Sequence, residues 1–275
     1  MALLILPAAL LTTALLVAPI GILLRISLNR YSPQELMVQA FTLQNYAQAV
    51  NDPYYRGVLV TTLVVALTCT LIALVLGFPA AYTLARMQSR WKGIVTILTL
   101  FPLFVGNVIR SAGWLALLGN DGAINAALQA LGMTTTPIRL MYTNGAVIVG
   151  IVAVVLPYMI LTLSAVIESI PRQTEEAAAN LGAGAWVVFR RVILPLAMPG
   201  VIAGSALVFI LCMNSYATPV LLGGPQFKMM APAVYDQFVR GNNWPLGAAL
   251  AFILLIVTLV LTAAGSMLLG RRYAR

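Results

Sequence analysis

The sequence predicts an all-α integral membrane protein: a single domain, residues 1–275, with six transmembrane helices. Two observations lead to this fold class. Hydrophobic residues make up 61% of the chain and charged residues only 8%, whereas soluble domains carry about 25% charged residues. Six apolar runs also reach the ~20 residues that a helix needs to cross a bilayer core of ~30 Å. The runs are 3–24, 58–84, 94–117, 143–167, 198–222 and 246–269.

The spans differ in how cleanly they are apolar. The second has no charged residue, whereas the third contains Arg110. Residues 1–24 lack a basic segment before the apolar run, and that run is longer than the apolar part of a signal peptide. We therefore expect the first run to be a retained span.

The composition excludes several functions. The chain has no histidine, so histidine-ligated metals and imidazole acid–base chemistry are excluded, and we expect no catalytic residue and no metal site. Cys69 and Cys212 both lie inside apolar runs and are interpreted as small core residues rather than a disulfide. The net charge of +9 comes from scattered residues that form no basic face, which argues against nucleic-acid binding.

Charge distribution predicts the orientation. The connections 85–93, 168–197 and 270–275 hold nine basic residues in 45 positions, whereas the other three connections hold six in 81. Cytoplasmic loops are the ones enriched in lysine and arginine. Both termini and the 168–197 loop are therefore predicted to be cytoplasmic.

The 168–197 loop is predicted to begin with a short helix. Pro171 cannot continue the fourth span, which should end near Ser169. A helix is expected over 173–181, with Glu175 and Glu176 in its first turn, where negative charge is favoured.

Gly182 and Pro195 are predicted to mark the two ends of the second half of this loop. Gly182 occupies the position where a helix end favours a left-handed residue. A second short helix is expected over 186–193, stopping before Pro195, and Pro199 allows the next span to begin. On these features alone, the loop could equally be a solvated connector with an ordinary glycine cap.

The spacing within the loop resembles a known motif, the E-A-A-x3-G-x9-I-x-L-P loop of ABC importer permeases, with valine in place of isoleucine. In that family the loop docks in a cleft of the ATPase subunit and transmits its closure to the spans. The resemblance implies a coupling role for Glu176, Ala177, Ala178, Gly182, Val192, Leu194 and Pro195, with which we group the adjacent Glu175.

Shorter motifs resemble the spermidine/putrescine-type permeases. They are Thr42-Leu43-Gln44-Asn45-Tyr46, Gly77-Phe78-Pro79-Ala80-Ala81-Tyr82, Asn107-Val108-Ile109-Arg110 with Trp114, Leu221-Leu222-Gly223-Gly224 and Asn243-Trp244-Pro245-Leu246-Gly247. This branch implies a polyamine as the solute, although relatives carry iron, phosphonates, opines, amino-acid-like and other small solutes.

Polar residues inside the spans are candidates for a solute path. Intramembrane polar and charged residues usually face the bundle interior or a wet cavity. For Arg110 two interpretations stay open: a place in the path, or snorkelling to headgroups and contacts between helices. The candidates are Asn107, Arg110 and Trp114 on span three, Tyr158 on span four, and Asn214, Tyr216 and Thr218 on span five.

The resemblance implies a multi-pass protein of the bacterial inner membrane that imports a small polar solute by alternating access. The chain has no phosphate-binding loop, so ATP and Mg²⁺ are expected to bind a partner ATPase dimer and this chain is expected not to be an enzyme. A second permease subunit and a periplasmic solute-binding protein are the other implied partners. A rival is an ion-gradient-driven transporter or channel, which would favour intramembrane carboxylates or symmetric broken helices. A membrane enzyme fits the composition less well, because the chain has no histidine for acid–base chemistry.

Overall fold

The computed structural model describes residues 2–273, with side chains described for residues 11–268. Arg275, which entered the charge argument, lies outside the described residues. The described part is built from helices, and its β pairing is an isolated bridge between Arg30 and Val38. The chain forms two compact units, Met1–Thr61 with Met229–Val257, and Thr62–Lys228 with Thr258–Arg275.

Thirteen helical segments follow one another along the described residues. They are α1 (Ala2–Ser27), α2 (Gln44–Asn51), α3 (Pro53–Arg86), α4 (Lys92–Phe104), α5 (Asn107–Leu118), α6 (Ala123–Ala130), α7 (Asn144–Ser169), α8 (Arg172–Asn180), α9 (Ala185–Leu196), α10 (Met198–Met213), α11 (Ala217–Leu222), α12 (Met230–Val239) and α13 (Trp244–Tyr273).

Three of the predicted spans are continuous helices that are long and apolar enough to cross a membrane: α3, α7 and α13. Two bent helix pairs raise the number among the described residues to as many as five, and α1 supplies a further apolar helix over Leu11–Ser27. The count of six spans and the single-domain assignment stay predictions.

The third span is not the single helix predicted over 94–117. It divides after α4: the segment Lys92–Phe104 is bent by 96° from the segment Asn107–Ala130, which contains α5 and α6, and Val105 between them is extended. Pro102 lies in the last turn of α4, where it has no N–H to donate to the preceding turn. Helix α4 therefore ends inside an apolar run, between Pro102 and Gly106.

The fifth span, predicted over 198–222, is also interrupted. α10 ends at Met213 and α11 begins at Ala217. At the end of α10 the Ile210 carbonyl oxygen accepts from both the backbone N–H of Asn214 at 3.2 Å and its side-chain amide at 2.9 Å. Pro219 cannot donate to the carbonyl of Ser215, so a helix through this segment would lack one hydrogen bond there; Pro79 of α3 and Pro157 of α7 are accommodated inside continuous helices.

Helix α7 is the centre of the second unit. Its residues Met159, Leu163 and Ile167 are fully buried. Glycines let two neighbouring helices approach it closely: a Cβ on Gly77 of α3 would lie 2.8 Å from Met159 Cγ, and one on Gly200 of α10 would lie 2.9 Å from Val166 Cβ. Small residues at such contacts are typical of membrane helix packing.

In the first unit, Asn45 holds the end of α1 against α2. Its buried amide donates to the carbonyl oxygens of Ser27 at 2.8 Å and Asn29 at 2.7 Å. The hydroxyls of Ser27 and Tyr46 lie 2.7 Å apart. Asn45 and Tyr46, which belong to the motif before span two, thus join α2 to the end of α1.

Candidate functional site

The loop between α7 and α10 folds into two short helices. α7 ends at Ser169 and Pro171 precedes α8, as predicted. Because α8 begins at Arg172, one residue earlier than expected, only Glu175 falls in its first turn; the prediction that Glu176 lies there is wrong.

Gly182 has the left-handed conformation that the sequence predicts, with φ of +85°. Its N–H donates to the Ala179 carbonyl at 2.9 Å, and the Ala183 N–H donates to the Ala178 carbonyl at 3.1 Å. These two bonds form a Schellman motif, which satisfies the carbonyls at the end of α8. The chain therefore turns sharply between α8 and α9.

The second helix was predicted to stop before Pro195, and this prediction is wrong. It runs from Ala185 to Leu196 and contains a π-helical turn over Phe189–Ile193. In this turn the Leu194 N–H donates to the Phe189 carbonyl, five residues back. The wider turn shifts the hydrogen-bond register just before the proline, so that the helix passes through a residue that would otherwise break it.

The two helices present an exposed edge, which we call the coupling edge: Glu176, Ala177, Leu181, Gly182 and Trp186. Leu181 is 89% exposed and Trp186 70% exposed. Exposed apolar side chains grouped in this way are typical of interaction surfaces.

The other predicted coupling residues differ in their exposure. Ala178, Val192 and Leu194 are half-buried, whereas Pro195 is exposed. Glu175 is turned away from the edge: its carboxylate pairs with Arg86 and accepts a hydrogen bond of 2.8 Å from the Tyr82 hydroxyl.

Sequence reasoning missed the role of Arg86, Tyr82 and Phe78. The motif that contains Phe78 and Tyr82 indicates family membership but no particular contact, and Arg86 entered the charge argument only as a basic residue. Their spacing of four residues places them on one face of α3, and this was the available signal.

A cavity of about 440 Å³ lies among α5, α7, α10 and α11. Five of the seven predicted path residues line it. These five are Asn107, Tyr158, Asn214, Tyr216 and Thr218, and the other lining residues are Val108, Ile151, Val154, Val155, Leu211, Ser215 and Ala217.

Arg110 and Trp114 belong to the same helix as Asn107 but are not among the lining residues. Arg110 instead donates from Nη2 to the carbonyl oxygens of Pro102 and Val105, the latter at 2.7 Å. The Pro102 carbonyl also accepts from the Val105 N–H at 3.3 Å, in the tightened last turn at the break in span three. Arg110 thus acts across the break in its own span, as a contact between two helices rather than as part of the cavity lining.

The described residues that line the cavity are all uncharged. They offer the amides of Asn107 and Asn214, the hydroxyls of Ser215 and Thr218, and the ring of Tyr158. Thr218 is buried, and its hydroxyl lies 3.5 Å from that of Ser111. The lining therefore combines aromatic rings with neutral oxygen acceptors.

Comparison with known proteins places this chain in a family. Residues 73–272 match the model described as binding-protein-dependent transport system inner membrane component. The chain is 39% identical over 217 residues to the spermidine/putrescine transport system permease protein PotB of Escherichia coli (strain K12), with 79% of this chain and 78% of that protein covered. It is 34% identical over 220 residues to the PotB protein of Haemophilus influenzae, with 80% and 77% covered.

Solved structures show the same fold. A bacterial ABC transporter involved in the import of the acidic polysaccharide alginate matches with a TM-score of 0.72 at 18% identity, covering 98% of this chain and 94% of that chain. The MetNI methionine ABC transporter matches with a TM-score of 0.60 at 18% identity, covering 80% and 98%. The resemblance predicted from the motifs is confirmed: the chain belongs to the family of binding-protein-dependent transport system inner membrane components.

Proposed function

We propose that this chain is a permease subunit of an ATP-driven importer that carries a polyamine across the inner membrane into the cytoplasm. The observation that carries the proposal is the 39% identity to spermidine/putrescine permeases over 79% of the chain. The chemistry of the cavity supports it independently.

The cavity lining suits an organic cation. Ammonium groups donate hydrogen bonds and accept none, so the oxygens of Asn107, Asn214 and Ser215 are suitable partners. The rings of Tyr158 and Tyr216 offer faces to which cations are attracted. Arg110 does not oppose a cation from the lining, because its guanidinium is turned to the backbone carbonyls at the break in span three. An anionic solute would find amide and hydroxyl donors there but no positive charge.

The coupling edge is proposed to dock in a cleft of the ATPase. A protruding Leu181 and Trp186 on either side of the sharp turn at Gly182 form a surface that a partner would cover. Closure of an ATPase dimer on ATP would move the two helices and open the spans toward a periplasmic binding protein, and hydrolysis would reset them. A second permease subunit would complete the path.

Uptake by a reconstituted complex tests this function. The chain, its ATPase, the second permease and the binding protein are placed in proteoliposomes, and labelled spermidine and putrescine are offered with ATP or with a non-hydrolysable analogue. We expect uptake only with ATP, unaffected by an ionophore that dissipates ion gradients. Uptake of a phosphonate or an amino acid in preference to either polyamine would refute the solute assignment, and uptake that an ion gradient drives without ATP would refute the class.

The proposed orientation predicts which residues an impermeant thiol reagent reaches. Single cysteines are introduced as Asn180→Cys and Gln226→Cys, both at exposed positions, in a chain whose Cys69 and Cys212 are replaced by alanine. On intact spheroplasts we expect Gln226→Cys to be labelled and Asn180→Cys to be labelled only after permeabilisation. The reverse pattern would invert the topology.

A further inference from the structure

A stripe of three side chains on the last turns of α3 contacts both helices of the coupling loop. The residues are Phe78, Tyr82 and Arg86, and we call them the α3 stripe. Their spacing of four residues places them on one helix face. The loop that joins spans four and five is therefore attached to span two.

Arg86 is the centre of the attachment to α8. Its guanidinium pairs with Glu175 and donates from Nη1 to the Ile170 carbonyl at 3.0 Å. The Arg172 guanidinium donates to the backbone carbonyl of Arg86, and Tyr82 donates to the second oxygen of Glu175. The Arg86 guanidinium and the Tyr82 hydroxyl thus contact the two oxygens of one carboxylate, and the two arginine-to-backbone bonds join the same helix ends; together they fix the position of α8 against α3.

The pair is shielded from water. The side chains of Arg86 and Glu175 are 13% and 16% exposed. The neighbouring pair of Lys92 and Glu168, at 2.6 Å, is 37% and 45% exposed. Exposed pairs contribute little because water and salt screen them, whereas removal of one partner of an enclosed pair leaves a charge without compensation.

The remaining stripe residue reaches the second helix. The ring of Phe78 contacts that of Phe189 edge-on, with centroids 5.2 Å apart. Phe189 in turn stacks on Trp186 at 5.3 Å, and Trp186 belongs to the coupling edge. The edge is thus connected to α3 through both α8 and α9.

Span two also approaches the cavity. Gly77, next to the stripe, lies so close to Met159 that a Cβ would be 2.8 Å from its Cγ. Met159 follows Tyr158, which lines the cavity. A displacement of α3 therefore presses on the part of α7 that forms the cavity wall.

We propose that span two receives the motion of the ATPase, and that Glu175 and Arg86 are positioning residues that keep α8 and α3 moving as one body. This inference rests on the proposed function for its transport readout. It assigns Glu175 an internal role, distinct from the docking surface formed by Glu176 and its neighbours.

Charge-removing variants test the transport consequence. Glu175→Gln, Arg86→Gln and the double variant are compared with Glu168→Gln, the matched control in the exposed pair. We expect each single variant to transport about tenfold less solute per ATP hydrolysed, and the double variant to recover part of the loss because no charge is left unpaired. The control should match the native ratio. The ratio is independent of how much complex assembles, so a merely structural defect would leave it unchanged.

A distance measurement tests the same inference without any solute. Spin labels are placed at the exposed positions Thr83 of α3 and Thr174 of α8, and the distance is measured in the assembled complex with and without ATP. We expect one narrow distance in both states, and a broad distribution in the Glu175→Gln variant. A distance that changes on ATP binding in the native chain would overturn the inference, as would an unchanged transport ratio in both single variants. Because this readout needs no transport, failure of the polyamine assignment would leave it intact.

Discussion

Replacement of Gly182 by valine is expected to abolish ATP-driven uptake and to weaken capture of the permease by a tagged ATPase, while the chain still inserts in the membrane. A non-glycine residue in the left-handed region costs about 1–2 kcal/mol, and a β-branched residue more. No atom lies within 4 Å of the point that a Cβ on Gly182 would occupy, so the effect comes from the backbone and the altered edge rather than from an internal clash.

Gly184 supplies a matched control for this prediction. It also has open space around its Cβ position, but its φ of −67° is accessible to any residue. Gly184→Val should therefore retain more capture and uptake than Gly182→Val. Gly182→Asn should lie between them, since asparagine tolerates the left-handed region better than other side chains. Native capture and uptake by Gly182→Val would refute the coupling role of the loop.

Loss of either tyrosine ring from the cavity is expected to lower polyamine uptake without uncoupling the ATPase. A cation over an aromatic face gains about 0.5–2 kcal/mol, so Tyr158→Leu and Tyr216→Leu should each lower uptake ~2- to 30-fold. The ATPase activity stimulated by the loaded binding protein should persist, because the coupling edge is unchanged. Uptake and stimulated ATPase activity are measured in the same proteoliposomes.

Two controls separate the ring from the rest of the side chain. Tyr158→Phe keeps the aromatic face and should retain most of the uptake. Trp114→Leu removes an aromatic ring that does not line the cavity and should have little effect. Equal losses for Trp114→Leu and Tyr158→Leu would show that packing, rather than the cavity, explains the result.

The continuous helices were predictable from the sequence because each contains a single apolar run that is long enough to cross a bilayer. α3, α7 and α13 are uninterrupted apolar runs, and Pro171 and Gly182 obey local rules of backbone geometry. The breaks in spans three and five were not predicted, because hydropathy registers the polarity of a segment but not the course of its backbone, and a proline alone does not mark a break: Pro79 and Pro157 lie inside continuous helices.

The candidate site was predictable only where a local pattern in the sequence indicates it. Five cavity residues were found because polar side chains inside an apolar span face inward. The pair of Arg86 and Glu175 joins residues 89 positions apart, and no local pattern connects them. For Arg110 the sequence left both the cavity and contacts between helices open, because periodicity along one apolar run does not show a bend; the structure favours the second, since the guanidinium donates to the carbonyls of Pro102 and Val105 at the bend.

The break in the third span affects how this segment can insert into the membrane during synthesis. The 13 residues of α4 extend only ~20 Å at 1.5 Å per residue, too short for a hydrocarbon core of ~30 Å. Insertion during synthesis is governed by the summed apolarity of a segment, and residues 94–117 offer that as one stretch. The nascent polypeptide can therefore enter the lipid as an ordinary hydrophobic segment and bend only afterwards, when its neighbours have arrived and Arg110 has found the carbonyls that the bend exposes.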